Sequence, residues 1–553
     1  MKEKKLNRLT DLRNQFDTYG ITAYVIPAND EFLNEYVPPQ FRRLEYITGF
    51  TGSNGIAIIT KDKLAFYTDG RYLLQARQEL DPEFVILDMY ERKSCEWFDL
   101  ALNNGEILGY DPMLHSKKNL EYYEKLKKKY NYQLKPLPNL VDIIWQNRPA
   151  GSNKKAFNLS IEFTGRSSAD KIAEITKQLQ ADYLLLCNPD SICWLLNIRG
   201  HDIDYTPVLL SYLLLDKNGS VTLFTDPTKT SEIKAEVKPW DSVQDYFTKL
   251  LKDGKTIQLD PAKTPVWFTA HQTQLVLATD PCELPKARKN VVEIQGMREC
   301  HKADGLAVTN FLNWLKKNYK TGIDEIKASE KLLEFRKQGK HFVEPSFESI
   351  SAFAENAAVI HYRATPKTNK KITGESLYLI DSGGQYLNGT TDITRTICLG
   401  TPKREHIENY TLVLKGHIAI ASAVFPIGTT GAQLDSLARQ YLWRFGRNYM
   451  HGTGHGVGHF LSVHEGPQGI SKLNTTVLEP NMILSNEPGY YKEGAYGIRI
   501  ENLVLVKESS HKGYLEFETL TLVPYEETLI DYSMLEAHEK KWLEAYSSLV
   551  NQS

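Results

Sequence analysis

Cysteine is scarce in this chain. There are six in 553 residues: Cys95, Cys187, Cys193, Cys282, Cys300 and Cys398. They form no CxxC pair and no dense framework, which argues against a disulfide scaffold and against cysteine metal ligands. It points to reduced, mostly buried thiols in a cytoplasmic protein. Net charge is nearly absent too: 66 basic against 68 acidic residues leave −2. That balance gives no electrostatic footprint for a nucleic-acid partner. No apolar run approaches the roughly 18 residues of a membrane span; the strongest, PVLLSYLLL, reads as a buried strand. The opening MKEKKLNRLTDLRNQF is charged and amphipathic and lacks the apolar centre of a secretory signal. Several catalytic signatures are missing: HExxH, GxSxG and GxxxxGK[ST] do not occur. The alternate glycines of GTGHGVG do not match the GxGxxG of a dinucleotide loop.

What is present is an ordinary globular balance, 41% apolar and 24% charged, with length for two to four domains of about 150 residues. Helical patterns (LNRLTDLRNQFDTYG) and short strands (AYVIP, GIAIIT, LAFYTD, FVILD) predict an α/β domain over residues 1–150. The Pro/Gly/Ser/Asn stretch NRPAGSNKKAFNLS then marks a boundary. A second α/β domain is expected over 151–300, starting with a helix capped by Ser167 or Ser168 and continuing with DYLLLC, VLLSYLLL and VTLF. Both domains run from an amphipathic helix into a strand and an Asn/Asp turn, which suggests an internal duplication. Residues 301–553 are expected to form an α+β catalytic domain, opening on a helix with Leu306, Phe311, Leu312 and Leu315 at helical spacing.

The candidate chemistry centres on MHGTGHGVGHFLSVHE, where His451, His455, His459 and His464 crowd into one short segment with four glycines. Carboxylates lie near it in the same domain. Asp381 ends a strand-like run and Asp392 lies in the next, with glycines and an Asn-Gly turn between them, a pattern of adjacent antiparallel strands. By itself Asp381 also reads as a turn cap. Glu487 precedes Pro488-Gly489. Glu501 falls inside the apolar pattern of GIRIENLVLV, two residues from Arg499, so a buried Arg–Glu ion pair on one strand face is equally open. Taken together, Asp, Asp, His, Glu and Glu are five ligands, four of them carboxylates, and too many for one zinc. They suit a pair of divalent ions about 3.5–4 Å apart, and hydrolysis.

The segments DSGGQYLNGTTDITRT, HGTGHGVGHFLSVHEGPQGIS, NEPGYY and GIRIENLVLV resemble aminopeptidase P, the Xaa-Pro aminopeptidases of the pita-bread metallopeptidase superfamily. The likeness is to the three-domain form. RRLEYITGFTGSNGIAIIT and FYTDGRYLLQARQELD look like its first domain, and SICWLLNIRGHDIDYTPVLLSYLLL like its second. The resemblance implies two related N-terminal α/β domains followed by a pita-bread catalytic domain. It implies metal ligands at Asp381, Asp392, His455, Glu487 and Glu501, with Asp392 and Glu501 bridging two ions. Manganese is the expected metal, with zinc or cobalt as alternatives. Glu487 would also be the general base for a metal-bridging hydroxide. His361, His451 and His464 would surround the substrate, and Arg499 would support the ligands. The expected substrates are short peptides with proline in second position, and a homodimer is expected. No role falls to His459, which reads as a local contact or exposed. Ala354 and Ala357 stand where many relatives have glycine. The alternatives are a prolidase cleaving Xaa-Pro dipeptides and an inactive pita-bread binding protein.

Overall fold

The computed structural model describes the chain apart from residues 1, 92–101, 103–104, 271 and 553. Cys95 lies outside the described residues. The other five cysteines are buried and form no disulfide among the described residues. Among the described residues no helix is long and apolar enough to cross a membrane. The chain forms two compact units, one of residues 1–158, 167–204 and 208–282, the other of 159–166, 205–207 and 283–553.

The first unit contains two six-stranded sheets of the same topology. In each, the strands taken in chain order lie fourth, third, second, first, fifth, sixth. The first strand pairs antiparallel with the second and parallel with the fifth in both sheets. The duplication suggested by the two strand openings is therefore a duplication of fold. In the first sheet, AYVIP is buried along its whole length, as a central strand covered on both faces must be. Leu9, Leu12 and Phe16 of the N-terminal helix complete one side of its core. In the second, Ser167 caps the helix Ser168–Thr176 by accepting from the Asp170 amide. PVLLSYLLL is only half a strand. Val208–Ser211 are buried but irregular, and pairing begins at Tyr212.

Among the described residues the second unit builds four antiparallel sheets, and two of them position the candidate site. A three-stranded one joins Ile350–Phe353, Ser376–Ser382 and Ile393–Leu399. A six-stranded one includes Gly454–Gly456, Glu465–Ile470, Ile483–Asn486 and Asn502–Glu508. The helix Val291–Asn318 covers the first with Val308, Phe311, Leu312 and Leu315, which pack on Tyr378, Ile380 and Ile397. It starts from a capping box made by Asn290 and Glu293. Leu306 is not part of this face and is 60% exposed. At about 100° per residue, nine positions place it on the side of the helix opposite Leu315. The helices Arg404–Ala421 and Ala537–Gln552 enclose a second core with Ile498 and Ile500.

Ala354 has φ +54°. L-residues with a Cβ lose about 1–2 kcal/mol in this left-handed region, and a glycine there forgoes that loss at some entropic expense. Ala354→Gly is therefore expected to leave stability unchanged or raise it by up to about 1 kcal/mol, read from denaturant midpoints. A clear destabilisation would contradict this assignment of backbone strain.

Candidate metal centre

Asp381 sits in the strand Ser376–Ser382 and pairs in register with Thr394 of the neighbouring strand. Asp392 immediately precedes that neighbour, Ile393–Leu399. The chain between them turns back through Leu387-Asn388, so the two carboxylates come to the same end of the pair, 8% and 4% exposed. His455 is held in the strand Gly454–Gly456, where its amide donates to the Ser485 hydroxyl at 2.9 Å. Glu487 follows the strand Ile483–Asn486 and is tied by its amide to the Thr453 carbonyl at 2.8 Å.

Glu501 does not lie inside one continuous strand. GIRIENLVLV divides into Tyr496–Arg499 and Asn502–Glu508, and Ile500-Glu501 form the break. The Arg–Glu pair expected on one face is accordingly replaced. The Arg499 guanidinium donates to Asp381 Oδ2 at 2.6 Å, while Glu501 Oε2 accepts from the Thr394 hydroxyl at 2.7 Å. Leaving the strand turns Glu501 towards Asp392, where it is 1% exposed.

The donor atoms converge. One ligand atom each from Asp392, His455 and Glu501 lie within 4.8 Å of one another. With Nδ1 bonded to the Gly456 carbonyl at 2.9 Å, His455 presents the lone pair of Nε2 to Asp392 Oδ2 at 3.4 Å and Glu487 Oε1 at 3.6 Å. Acceptors face one another there. Asp381 Oδ1 is buried with no hydrogen-bond partner among the described residues. Burial, reinforced by the neighbouring carboxylates, pushes Asp392 and Glu501 well above the ordinary range. Burial also raises Glu487, against the pull of His455 and Arg499. Four carboxylates share the positive charge of Arg499, and buried charge needs closer compensation than that. The donor set fits divalent cations.

His464 stands beside His455, ring centroids 4.3 Å apart and nearly perpendicular. His451 Nδ1 bonds the Gly452 carbonyl and lies 3.7 Å from Glu487, and its Nε2 meets the Tyr491 hydroxyl at 2.8 Å. His361 is half-buried in the turn after Ala354–Ala358, a segment whose backbone approaches Gly497 so closely that a Cβ there would meet the Ala357 carbonyl at 1.8 Å. His459 is buried, 3% exposed, rather than at the surface.

Two participants escaped sequence reasoning. Tyr491 bridges His451 and Arg499, whose Nη1 donates to its hydroxyl at 2.6 Å. Thr394 orients Glu501. The available signal was period-two alternation, which puts Thr394 on the face of Asp392, and the hairpin pairing of Gly489–Lys492 with Tyr496–Arg499.

The raised carboxyls predict a pH dependence. A carboxyl whose folded pKa exceeds its unfolded value contributes stability that is full below the unfolded pKa and lost as pH rises through the folded one. Metal-free protein is thus expected to lose stability as pH rises above about 4, the ordinary carboxyl range, relative to Glu501→Gln, in melting curves recorded with chelator. Parallel curves for the two proteins would contradict the repulsion inferred here.

The metallopeptidase family M24 model matches residues 295–508, which contain all five converging residues, and its C-terminal region matches 513–553. The creatinase/prolidase N-terminal domain matches twice, at 8–144 and 147–293. A probable Xaa-Pro aminopeptidase P of Fusarium vanettenii is 41% identical, covering 98% of this chain and 95% of its own. The crystal structure of X-prolyl aminopeptidase from Caenorhabditis elegans, a cytosolic enzyme with a di-nuclear active site, superimposes with TM-score 0.95 at 33% identity, over 99% of this chain and 95% of that one. X-Pro aminopeptidase from Thermotoga maritima, 25% identical, matches 65% of this chain and 98% of its own with TM-score 0.53. The pita-bread fold and its buried carboxylate–histidine cluster define a metallopeptidase. The chain belongs to metallopeptidase family M24, in its three-domain Xaa-Pro aminopeptidase P branch.

Proposed function

We propose that the protein is a metallo-aminopeptidase that releases the first residue of short Xaa-Pro-Yaa peptides. The observation that carries the reading is the convergence of Asp381, Asp392, His455, Glu487 and Glu501 with one guanidinium among them. Two divalent ions held by these five residues would polarise the scissile carbonyl and supply a water of lowered pKa. The oxygen-rich set favours manganese, with zinc and cobalt as alternatives. Glu487 is the general base: its carboxylate, with Oε1 3.6 Å from His455 Nε2, is placed to take the proton of the attacking water at Oε. The C–N bond to proline then breaks, and the proton passes to the proline nitrogen, which brought no amide proton of its own. His464, beside His455, and His361 orient the peptide and assist this transfer. His451, fixed by Gly452 and Tyr491, orients Glu487. Arg499 anchors Asp381 by one oxygen and leaves Oδ1 for the metal.

The prolidase alternative is separated by substrate length. Cleavage of Xaa-Pro-Yaa at least tenfold faster than of the Xaa-Pro dipeptide is expected, and the reverse ratio would overturn the assignment. An inactive binding protein is disfavoured because every ligand position is filled. A cytoplasmic location is supported by the five buried cysteines, which form no disulfide among the described residues, and by the cytosolic worm relative. A homodimer is proposed from family resemblance, and a light-scattering mass near the 63.1 kDa of one chain would refute it.

A further inference from the structure

Behind the two aspartates lies an ion pair that touches neither of them. Asp304, on the helix Val291–Asn318, is 0% exposed, and Arg336, at the end of Glu325–Arg336, is 1% exposed. Arg336 grips the carboxylate with two nitrogens, Nε to Oδ1 at 2.6 Å and Nη2 to Oδ2 at 3.1 Å. Their remaining bonds go to the strand ends that carry the site. Arg336 Nη2 donates to the carbonyl of Ser382, the residue after Asp381, at 3.2 Å. Asp304 Oδ2 accepts from the hydroxyl of Thr391, the residue before Asp392, at 2.6 Å. Thr391 is fixed further. Its hydroxyl accepts from the Gly384 amide at 2.9 Å, its amide donates to the Gly384 carbonyl at 2.9 Å, and its carbonyl accepts from the Ser346 hydroxyl at 2.8 Å. Gly383 completes the fit, since a Cβ there would lie 1.9 Å from the Thr391 carbonyl oxygen. Among the described residues, only the Tyr386 hydroxyl, at 3.0 Å from Asp304 Oδ1, serves the pair without touching a flanking residue.

A fully buried ion pair is a poor way to gain stability, because desolvation offsets most of the attraction. Its value lies in fixing geometry. We infer that Asp304 and Arg336 are positioning residues that set the separation of Asp381 and Asp392, and through it the affinity of the site for divalent metal. The inference rests on the reading of those two aspartates as ligands.

Thr391→Val cuts the link from Asp304 to the residue before Asp392 at almost constant volume, Thr391→Ser keeps it, and Ser346→Ala removes the bond on the Thr391 carbonyl. Tyr386→Phe deletes an equally buried bond to Asp304 away from the ligand flanks. The test is calorimetric titration of chelated protein with Mn²⁺ alone, with melting temperatures recorded beside it. Thr391→Val is expected to weaken Mn²⁺ binding about 10- to 100-fold, the range for residues that orient metal ligands. Ser346→Ala should shift it the same way, and carries the test if Thr391→Val does not fold. Thr391→Ser and Tyr386→Phe should stay near the parent, whatever Tyr386→Phe does to melting. Affinity that falls no further in Thr391→Val and Ser346→Ala than in Tyr386→Phe would overturn the inference and leave a purely structural pair. A parent protein that binds no Mn²⁺, Zn²⁺ or Co²⁺ would instead overturn the metal-site reading itself, and the inference with it.

Discussion

Asp392→Asn is expected to lower cleavage of Xaa-Pro-Yaa peptides by at least 10²–10³-fold, on the order of what losing one electrostatic stabiliser of a reacting centre costs, while leaving the metal-free protein as stable as the parent or more so. The two halves have one cause. Asp392 is buried against Asp381, Glu487 and Glu501, and its pKa is driven up by that burial and by the first two carboxylates. Without cations the neutral amide relieves repulsion. With cations it removes one of the charged oxygen donors proposed to hold them. Added Mn²⁺ should therefore raise the melting temperature of the parent far more than that of the variant, since a ligand stabilises by its affinity for the folded state. Equal stabilisation of both by Mn²⁺ would remove Asp392 from the site. A variant that simply fails to fold would show that the carboxylate is structural.

Glu465→Gln is expected to be the most destabilising conservative substitution in the second unit. Glu465 opens the strand that follows His464, is 5% exposed, and binds two buried ammonium groups. Lys286 donates to Oε2 at 2.7 Å and Lys289 to Oε1. These cations hold the carboxyl below its ordinary range despite its burial. A glutamine leaves two buried ammoniums without their counter-ion, a loss of about 3–5 kcal/mol, or a fall of about 10 °C in melting temperature. Lys286→Met should lose less than half as much, because Lys289 still pairs with Glu465 and keeps its bond to the Lys286 carbonyl at 3.0 Å. Chemical denaturation of the two variants gives the comparison. A Glu465→Gln loss no larger than that of Lys286→Met would show that the paired charges carry little.

Much of this was legible in the sequence where the signal is local. The Asn-Gly punctuation between Asp381 and Asp392 foretold adjacent strands, and AYVIP, VTLF and SLYLID announced strands by continuous apolar character. The edge strands Gln133–Pro136 and Glu236–Lys238 did not, because short, polar, exposed segments pair through their backbone and leave no apolar pattern. PVLLSYLLL over-promised for the opposite reason: burial alone makes a segment apolar, whether or not it is paired. At the site, residue types were readable and partners were not. The spacing of Arg499 and Glu501 suggested a pair, yet the strand breaks between them. Arg499 goes to Asp381, 118 positions away. Glu501 goes to Thr394, 107 positions away. Lys286 and Glu465 are separated by 179. Contacts of that reach are set by tertiary packing, which no window of sequence contains. The family motifs supplied the proposed ligand set; NEPGYY contains Tyr491 but gives it no role, and its part in the site arises from the hairpin that folds it back onto Arg499.

The most direct test of the account is a titration of chelated protein with Mn²⁺, counting bound ions per chain while following cleavage of an Xaa-Pro-Yaa peptide. The account predicts two ions per chain, and cleavage before proline that is absent without metal and appears as the sites fill. A folded protein that binds no divalent ion, or that cleaves equally well in chelator, would contradict it.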